Sequence, residues 1–324
     1  MSRTRKAFLT TPAGLLFLAV GAFVALWAVL LHPRRGDMLS SGVVAWWAAL
    51  CGLSVCNVCV WHFSARAVTR RRARVEPDVY RLQWQQLLLS AVYVFGCGFR
   101  SILPRADVQR LGLYDSWVSS VMVGRTVATV AELCFMAQWA LLLHHIARHA
   151  GCRFGVVVSR LLVPLIAAAE VCSWSAVLTT SYLGNVAEES LWALAASLLI
   201  ISCLQLWPHC RRAYRYFLAA ALAIGAAYVL FMCTVDIPMY VSRWLADKAS
   251  GRVYLSFDQG LWDTWSRRHV TFAWEEWRTE IPWMTLYFST AVWCSIALAH
   301  VPRIAPKPAF ESRRGGNLSG VPSA

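Results

Sequence analysis

The chain has 324 residues, of which 58% are hydrophobic and only 15% are charged. Soluble domains usually carry about 25% charged residues, so this composition excludes an ordinary soluble protein. The formal net charge is +14, yet the basic residues lie at the ends of apolar stretches rather than along one polar face. No zinc-finger, RNA-recognition or helix-turn-helix motif is present, so we expect no nucleic-acid partner. The expected partner is the lipid bilayer, whose anionic headgroups attract basic side chains.

Eight apolar stretches follow one another along the chain. A helix of about 20 apolar residues crosses the hydrocarbon layer, which is about 30 Å thick. Backbone groups inside that layer must bond internally, and continuous apolar runs favour helices over the alternating strands of a membrane barrel. The sequence therefore predicts an all-α polytopic transmembrane bundle of about eight spans. The predicted spans are 8–31, 42–63, 82–103, 117–143, 156–182, 191–207, 216–235 and 281–301.

The distribution of Lys and Arg predicts the orientation of these spans. Both termini and the loops after the second, fourth and sixth spans hold most of the basic residues. Basic loops stay on the inner side, so both termini are expected in the cytoplasm. The first span is longer than the apolar region of a cleavable signal peptide, about 7–15 residues, and is predicted to be an uncleaved anchor. We expect one helical domain over 1–301 and a disordered basic tail over 302–324.

Three charged residues lie deep inside predicted spans, away from the span ends. Arg125 and Glu132 are seven residues apart in the fourth span, so they lie two turns apart on one helix face. Glu170 lies near the middle of the fifth span. An ionised side chain at the bilayer centre costs about 2.5–3.5 kcal/mol, so these groups should face one another, a polar cavity or a ligand. One hypothesis is that Glu132 and Glu170 are catalytic and that Arg125 binds an anionic headgroup. The alternative is a structural ion pair of Arg125 with Glu132 or Glu170.

The polar segment 236–280, between the last two spans, is too long to be a simple connection. Trp262 with Trp265, and Trp274 with Trp277, have helical spacing, which predicts short helices on the outer membrane surface. Its charged side chains suggest a site for a phosphate or a lipid headgroup, and the alternative is a cap whose charges pair with one another. Asp236 is a third catalytic candidate. The candidates for substrate binding in this segment are Arg243, Arg278, Asp258 and Asp263.

Several histidines lie near the predicted cytoplasmic face. His145 and His149 form one His-x-x-x-His pair, and His209 follows the sixth span. Imidazole is a common metal ligand. However, the membrane desaturases and hydroxylases carry several histidine motifs of this kind, whereas this sequence has one. We therefore predict no metal site, and these three histidines are the candidates if a metal is bound. No cofactor can be named from the sequence. Cys56 and Cys59 fall inside a span, where packing is a better explanation than redox chemistry.

The sequence motifs do not identify a reaction. The sequence contains no P-loop, no dinucleotide-binding glycine motif, no Gly-x-Ser-x-Gly elbow and no His-Glu-x-x-His. Our first hypothesis is a membrane-embedded enzyme that acts on a lipid or isoprenoid, and so belongs to lipid metabolism. The alternatives are a transporter or proton-coupled carrier that uses Glu132 and Glu170, and a non-catalytic membrane subunit or assembly factor.

Overall fold

The computed structural model describes residues 39–210 and 212–301, and the structure is 83% helical. The predicted first span and the predicted tail lie outside the described residues. The helices are α1 (Leu39–Thr69), α2 (Pro77–Ile102), α3 (Val121–Ala150), α4 (Arg153–Thr179), α5 (Tyr182–Leu206), α6 (Arg212–Phe231), α7 (Ile237–Ala249), α8 (Phe257–Ser266), α9 (Trp274–Trp277), α10 (Ile281–Leu286) and α11 (Val292–Leu298). Two π-helical turns, Met232–Asp236 and Tyr287–Ala291, join α6 to α7 and α10 to α11.

Six helices among the described residues are long and apolar enough to cross a membrane. They are Gly42–Thr69, Val121–Ala150, Arg153–Thr179, Tyr182–His209, Tyr214–Ala249 and Ile281–Leu298. Their outer surfaces carry large apolar side chains; Val171, in the second half of α4, is 70% exposed. Apolar surface of this extent is typical of contact with lipid rather than with water. The chain is therefore a multi-pass integral membrane protein.

Helix α2 corresponds to the third predicted span but is less apolar than the six. Its polar side chains point into the bundle, where Gln86 Nε2 donates to the carbonyl oxygen of Gln138 at 2.8 Å. Gln138 Nε2 donates back to the carbonyl oxygen of Gln86 at 2.9 Å, and Ser295 Oγ donates to Gln138 Oε1 at 2.6 Å. The low hydropathy of α2 thus reflects polar packing against α3 and α11. The count of about eight spans stays a prediction.

The helix ends are fixed by local signals in the sequence. Ser120 caps α3, accepting a hydrogen bond from the backbone N–H of Val123 at 3.4 Å, and Gly151 ends that helix with a φ of 69°. Thr180 ends α4, and α5 begins two residues later. Short turns of this kind make consecutive helices antiparallel neighbours. The start of α3, the end of α4 and the start of α5 therefore lie at one end of the bundle, together with residues 250–280; we call it the loop end.

A small sheet ties the loop end together. Strand β1 (Arg105–Ala106) pairs antiparallel with β2 (Leu111–Gly112), and β2 pairs parallel with β3 (His269–Val270). The backbone N–H of Leu255 also donates to the carbonyl oxygen of Thr179 at 3.1 Å. Residues 250–280 are thus bonded to the connection between α2 and α3 and to the end of α4.

The structure corrects the predicted boundary at residue 235. We expected the seventh span to end there, but the helix continues through Asp236 to Ala249. Pro238 occupies an early position of α7, where its missing N–H removes little bonding, and the preceding π-helical turn accommodates its ring. The polar side chains beyond 236 pack against the protein; the Arg243 guanidinium lies 5.6 Å from the Tyr182 ring centroid. The segment outside the long helices is therefore 250–280.

Candidate functional site

Arg125 lies at the centre of a buried group of charged side chains. Its Nη2 atom is 3.1 Å from Oε2 of Glu132, on the same helix. The same atom is 2.6 Å from Oε2 of Glu170 on α4 and 3.4 Å from Oε1 of Glu188 on α5. All four side chains are at most 8% exposed. We call these four residues the Arg125 cluster; one guanidinium nitrogen in it joins three helices.

Hydrogen bonds from α3 and α4 hold Glu170 in place. Thr129, one helical turn after Arg125, donates from its hydroxyl to Glu170 Oε2 at 2.5 Å. Trp174 Nε1 in turn donates to the Thr129 hydroxyl oxygen at 3.1 Å. The second carboxylate oxygen of Glu170, Oε1, is buried without a hydrogen-bond partner among the described residues. Thr129 and Arg125 therefore both hold the same carboxylate oxygen of Glu170.

The other two glutamates are each held by one neutral donor. Asn185, three residues before Glu188 on α5, donates from Nδ2 to Glu188 Oε2 at 3.2 Å. The hydroxyl of Tyr287, in the π-helical turn before α11, donates to Glu132 Oε1 at 2.8 Å. Tyr287 connects the last helix of the described chain to the Arg125 cluster.

A second set of charges lies between the Arg125 cluster and the loop end. Oδ2 of Asp107 is 4.0 Å from Nη1 of Arg125 and 4.0 Å from Nη2 of Arg100. Arg105 is only 2% exposed, and its guanidinium packs on Gly124 so closely that a Cβ atom there would fall 2.3 Å from Cζ. These residues extend the buried charges toward the connection between α2 and α3.

The charges of this site do not cancel. Burial lowers the pKa of Arg105 to about 10, with Asp107 opposing and Arg100 adding to the effect, so Arg105 is still protonated at neutral pH. Three guanidiniums, from Arg100, Arg105 and Arg125, therefore face four carboxyl groups, from Asp107 and the three glutamates of the Arg125 cluster. Glu189, next to Glu188, is half-buried and interacts electrostatically with Glu132 as well. The site carries an excess of at least one acidic group.

The three glutamates have the spacing of a cation site. Glu132, Glu170 and Glu188 each offer a carboxylate oxygen, and these oxygens all lie within 4.8 Å of one another. Oxygen ligands of this kind suit calcium or magnesium. However, Nη2 of Arg125 lies within 3.4 Å of an oxygen from each glutamate, where such an ion would bind. The Arg125 guanidinium already supplies the central positive charge. One bound proton is sufficient to balance the remaining negative charge.

The structure places two predicted residues beside this site rather than in it. Asp236 lies in the π-helical turn Met232–Asp236 and interacts electrostatically with Glu189, but none of the described ion pairs of Arg125 involves it. Arg243 Nη2 is 3.7 Å from Oε1 of Glu280. These residues form a separate polar group between α5 and α7.

The remaining predicted residues of the outer segment are also apart from the Arg125 cluster. Asp263 Oδ2 accepts a hydrogen bond from Nε of buried Arg110 at 2.7 Å, which fixes α8 to the loop end. Asp258 is exposed in the first turn of α8. Arg278 is exposed and pairs with Glu275, Nε to Oε2, at 3.1 Å. None of the three contributes to a shared site with Arg125.

The histidine candidates do not converge within the described residues. The rings of His145 and His149 have centroids 4.3 Å apart, and His149 Nδ1 is 2.7 Å from the carbonyl oxygen of His145. His209 contacts the carbonyl oxygen of Gln205 instead, at 3.1 Å. In the described chain, the group of three ligating side chains with metal-like spacing is the glutamate trio. The prediction that the chain has no metal site, with these histidines as the candidates if a metal is bound, stays untested.

A cavity of about 310 Å³ opens at the loop end, on the other side of residues 107–110 from Arg125. The polar side chains in its wall belong to Gln109, Arg110, Thr180, Tyr182, Arg252 and Arg267. Arg110 and Thr180 have φ values of 58° and 61°, the two positive values found outside glycine in the described residues. The cavity wall does not include Glu132 or Glu170.

Sequence reasoning missed Glu188, Asp107 and Arg100. The first two fell in predicted loops, and Arg100 fell near the end of the third predicted span, yet Arg100 is 4% exposed and Glu188 is 5% exposed. One signal was available for Glu188: Asn185 and Glu188 are three residues apart just before an apolar run, which fits one face of a helix that starts earlier. Asp107 had no such signal because its position depends on the small sheet.

Comparisons with known proteins give no relative. No protein-family model matches the chain, and neither the curated proteins nor the solved structures contain a significant match.

Proposed function

We propose that this protein is a proton-coupled membrane carrier in which the Arg125 cluster binds and releases the proton. The observation that carries the proposal is the excess of buried carboxyl groups over guanidiniums around Arg125. An uncompensated charge inside a membrane protein is expensive, about 2.5–3.5 kcal/mol at the bilayer centre. One proton on one carboxyl group removes that charge.

The positions of the three glutamates support coupling between proton binding and helix movement. They lie on α3, α4 and α5, and they share one nitrogen of Arg125. Protonation of one glutamate weakens its ion pair, so Arg125 is drawn toward the other two. The helix that carries the protonated residue is then held less firmly. This is the property that a carrier needs when a proton drives a change between two arrangements.

The hypothesis of a lipid-modifying enzyme receives less support from the geometry. An enzyme needs a substrate cavity against its general acid or base. The cavity at the loop end is lined by arginine and neutral side chains, and the glutamates lie deeper, among α3, α4 and α5. Asp236, the third catalytic candidate, is not paired with Arg125 in the described residues.

Infrared titration of the carboxyl groups tests the proposal. We expect the purified protein in lipid to keep a carboxylic-acid band at neutral pH, where exposed carboxyl groups are ionised, and to lose it as the pH is raised further. E132Q, which removes one carboxyl group of the Arg125 cluster, should lack that band. The control E275Q removes an exposed carboxyl group from the loop end, so it should leave the band unchanged. If the wild-type spectrum shows fully ionised carboxyl groups at neutral pH, the proposed proton site is wrong.

Flux measurements test the carrier itself. Proteoliposomes loaded with a pH indicator should show proton movement when a transported solute is added, and E132Q and E170Q should abolish it while E275Q retains it. A protein that titrates as expected but moves neither protons nor solutes has a structural ion cluster and is not a carrier.

A further inference from the structure

The cavity at the loop end has a strongly basic wall. Arg110, Arg252 and Arg267 line it, and no acidic residue does. The acidic partners lie behind the wall: Asp263 is 2.7 Å from Arg110 and 3.8 Å from Arg267, and Asp247 is 2.9 Å from Arg252. Two carboxylates thus serve three guanidiniums. The cavity wall keeps one positive charge in excess.

The three arginines differ in how firmly their guanidinium groups are bonded to the protein. In Arg110, Nε donates a hydrogen bond to Asp263, and Nη1 and Nη2 donate to the carbonyl oxygens of Asp107 and Val177 at 2.6 and 2.8 Å. Arg252 donates to both carboxylate oxygens of Asp247. Among the described residues, Arg267 has a long ion pair to Asp263, at 3.8 Å, and its side chain is 68% exposed. Arg267 is therefore the arginine able to turn toward a ligand.

The backbone of the wall is held in an unusual conformation. Arg110 and Thr180 both adopt the left-handed region, which is rare for residues with a side chain. Such conformations persist when surrounding contacts over-determine them, and they concentrate at ligand sites. Here the hydrogen bonds of Arg110 fix one of them. The same wall includes Thr180 and Tyr182, residues whose hydroxyl groups are neutral donors for an anion.

We infer that this cavity binds an oxyanion, either a phosphate or a carboxylate group, with Arg267 as its main charged contact. The volume of about 310 Å³ is at the lower end of the range of small-molecule sites, so the ligand is a small anionic molecule or the head of an anionic lipid. The further step, that the carrier transports such an anion, rests on the proposed function; the binding site does not. Residues 107–110 connect the two sites, since Asp107 is paired with Arg125 and Arg110 forms the cavity wall.

Thermal unfolding of the purified full-length protein with inorganic phosphate as the probe tests the inference. We expect phosphate to raise the unfolding temperature in a saturable way, beyond the effect of chloride at the same ionic strength. R267Q should weaken the apparent phosphate affinity about tenfold or more, and R267K should recover part of it. The control R278Q removes an exposed arginine of the same segment, paired outside the cavity, and should leave the affinity unchanged.

Two lipid environments distinguish the sources of the anion. If a lipid headgroup fills the cavity, discs of phosphatidylglycerol should weaken phosphate binding relative to discs of phosphatidylcholine, in the wild type but not in R267Q. If the ligand is a free anion, phosphate should bind equally in both. The inference is overturned if neither phosphate nor phosphatidylglycerol acts through Arg267, whatever the infrared titration shows for the proton site. Phosphate binding without proton flux would instead refute the carrier and keep the anion site.

Discussion

Arg125 and Glu170 belong to neighbouring helices, and the 2.6 Å between Nη2 and Oε2 is the shortest ion pair of the Arg125 cluster. The pair is buried, and Glu170 receives a second hydrogen bond from Thr129 on the helix of Arg125. Helices α3 and α4 are thus joined by both a charged and a neutral contact at one depth. We therefore expect this junction to be sensitive to substitution.

Replacement of Arg125 by Gln should destabilise the protein strongly. It removes the central positive charge and leaves three buried glutamates close together, and breaking a buried ion pair in this way costs about 3–5 kcal/mol. We expect a lower free energy of unfolding in mixed-detergent denaturation, with a smaller loss at acidic pH because protonated glutamates do not repel. R278Q, at an exposed pair, should stay within about 0.5 kcal/mol of the wild type. Equal stability of R125Q and the wild type would contradict the charge balance described here.

Replacement of Glu188 by Gln should be tolerated much better. The amide removes the excess negative charge and still accepts the hydrogen bond from Asn185. We expect the free energy of unfolding at neutral pH to change by less than about 1 kcal/mol, since the lost ion pair with Arg125 is long, 3.4 Å. The measurement is the same denaturation experiment. A loss as large as that of R125Q would show that all three glutamates are needed as anions.

Replacement of Gly124 by Ala should disrupt the packing of Arg105. The new methyl group would lie 2.3 Å from Cζ of Arg105, a buried side chain with little room to move. Overpacking of this kind costs about 1–3 kcal/mol. G52A is the matched control, because nothing lies within 4 Å of the Cβ position at Gly52, also inside a helix. It should be neutral or stabilising by about 0.5–1 kcal/mol.

A double-substitution cycle separates this clash from a general effect of alanine. Shortening Arg105 in the G124A background should cost less than it does in the wild type, because the contact has already been lost. Additive free energies for G124A and R105A would show that the two residues do not interact.

Replacement of Asp263 by Asn should loosen α8 from the loop end. Asp263 is the charged partner of buried Arg110, and a hydrogen bond to a charged group contributes about 1.5–3 kcal/mol. We expect faster limited proteolysis within residues 250–280 while the long helices remain intact. D258N, at an exposed carboxylate of the same helix, should be cleaved at the wild-type rate. Equal rates for both variants would mean that the sheet and Gly260, packed against the backbone of Leu178, hold α8 without the ion pair.

The orientation of the chain is a prediction from its basic loops, and epitope insertion tests it. An epitope inserted at exposed Gly251 should be detected on intact cells, whereas one fused to the C-terminus should need permeabilisation. The span Ile281–Leu298 lies between the two positions. Detection of both epitopes on the same side would overturn the predicted topology.

Hydropathy and the depth of charged residues within spans predicted the long helices and part of the buried charge cluster. Apolar runs located the long described helices, because lipid exposure demands apolar side chains along most of each span. Depth placed Arg125, Glu132 and Glu170 at comparable levels, and they are in contact. Average hydropathy treated polar residues near span ends as solvated, so it missed Glu188, which lies inside α5.

Tertiary pairing explains the rest of what sequence reasoning missed. Asp107 reaches Arg125 because a short sheet folds the connection between α2 and α3 over the end of the bundle. Such pairing joins residues far apart in sequence, and no local pattern encodes it. Asp236 was placed in a loop because it begins the polar segment 236–280, but the helix continues through it as a π-helical turn.

The helix that contains the π-helical turn Tyr287–Ala291 bonds to two different helices. Tyr287, the first residue of the turn, donates to Glu132 on α3. Trp293, beyond the turn, donates from Nε1 to Oδ1 of Asn57 on α1 at 2.6 Å. Tyr287 begins the wider turn and Trp293 follows it, so the turn sets the directions in which the two side chains leave the helix. A homologue can therefore exchange many apolar side chains of this stretch and is still expected to keep a hydrogen-bond donor on each of the two sides.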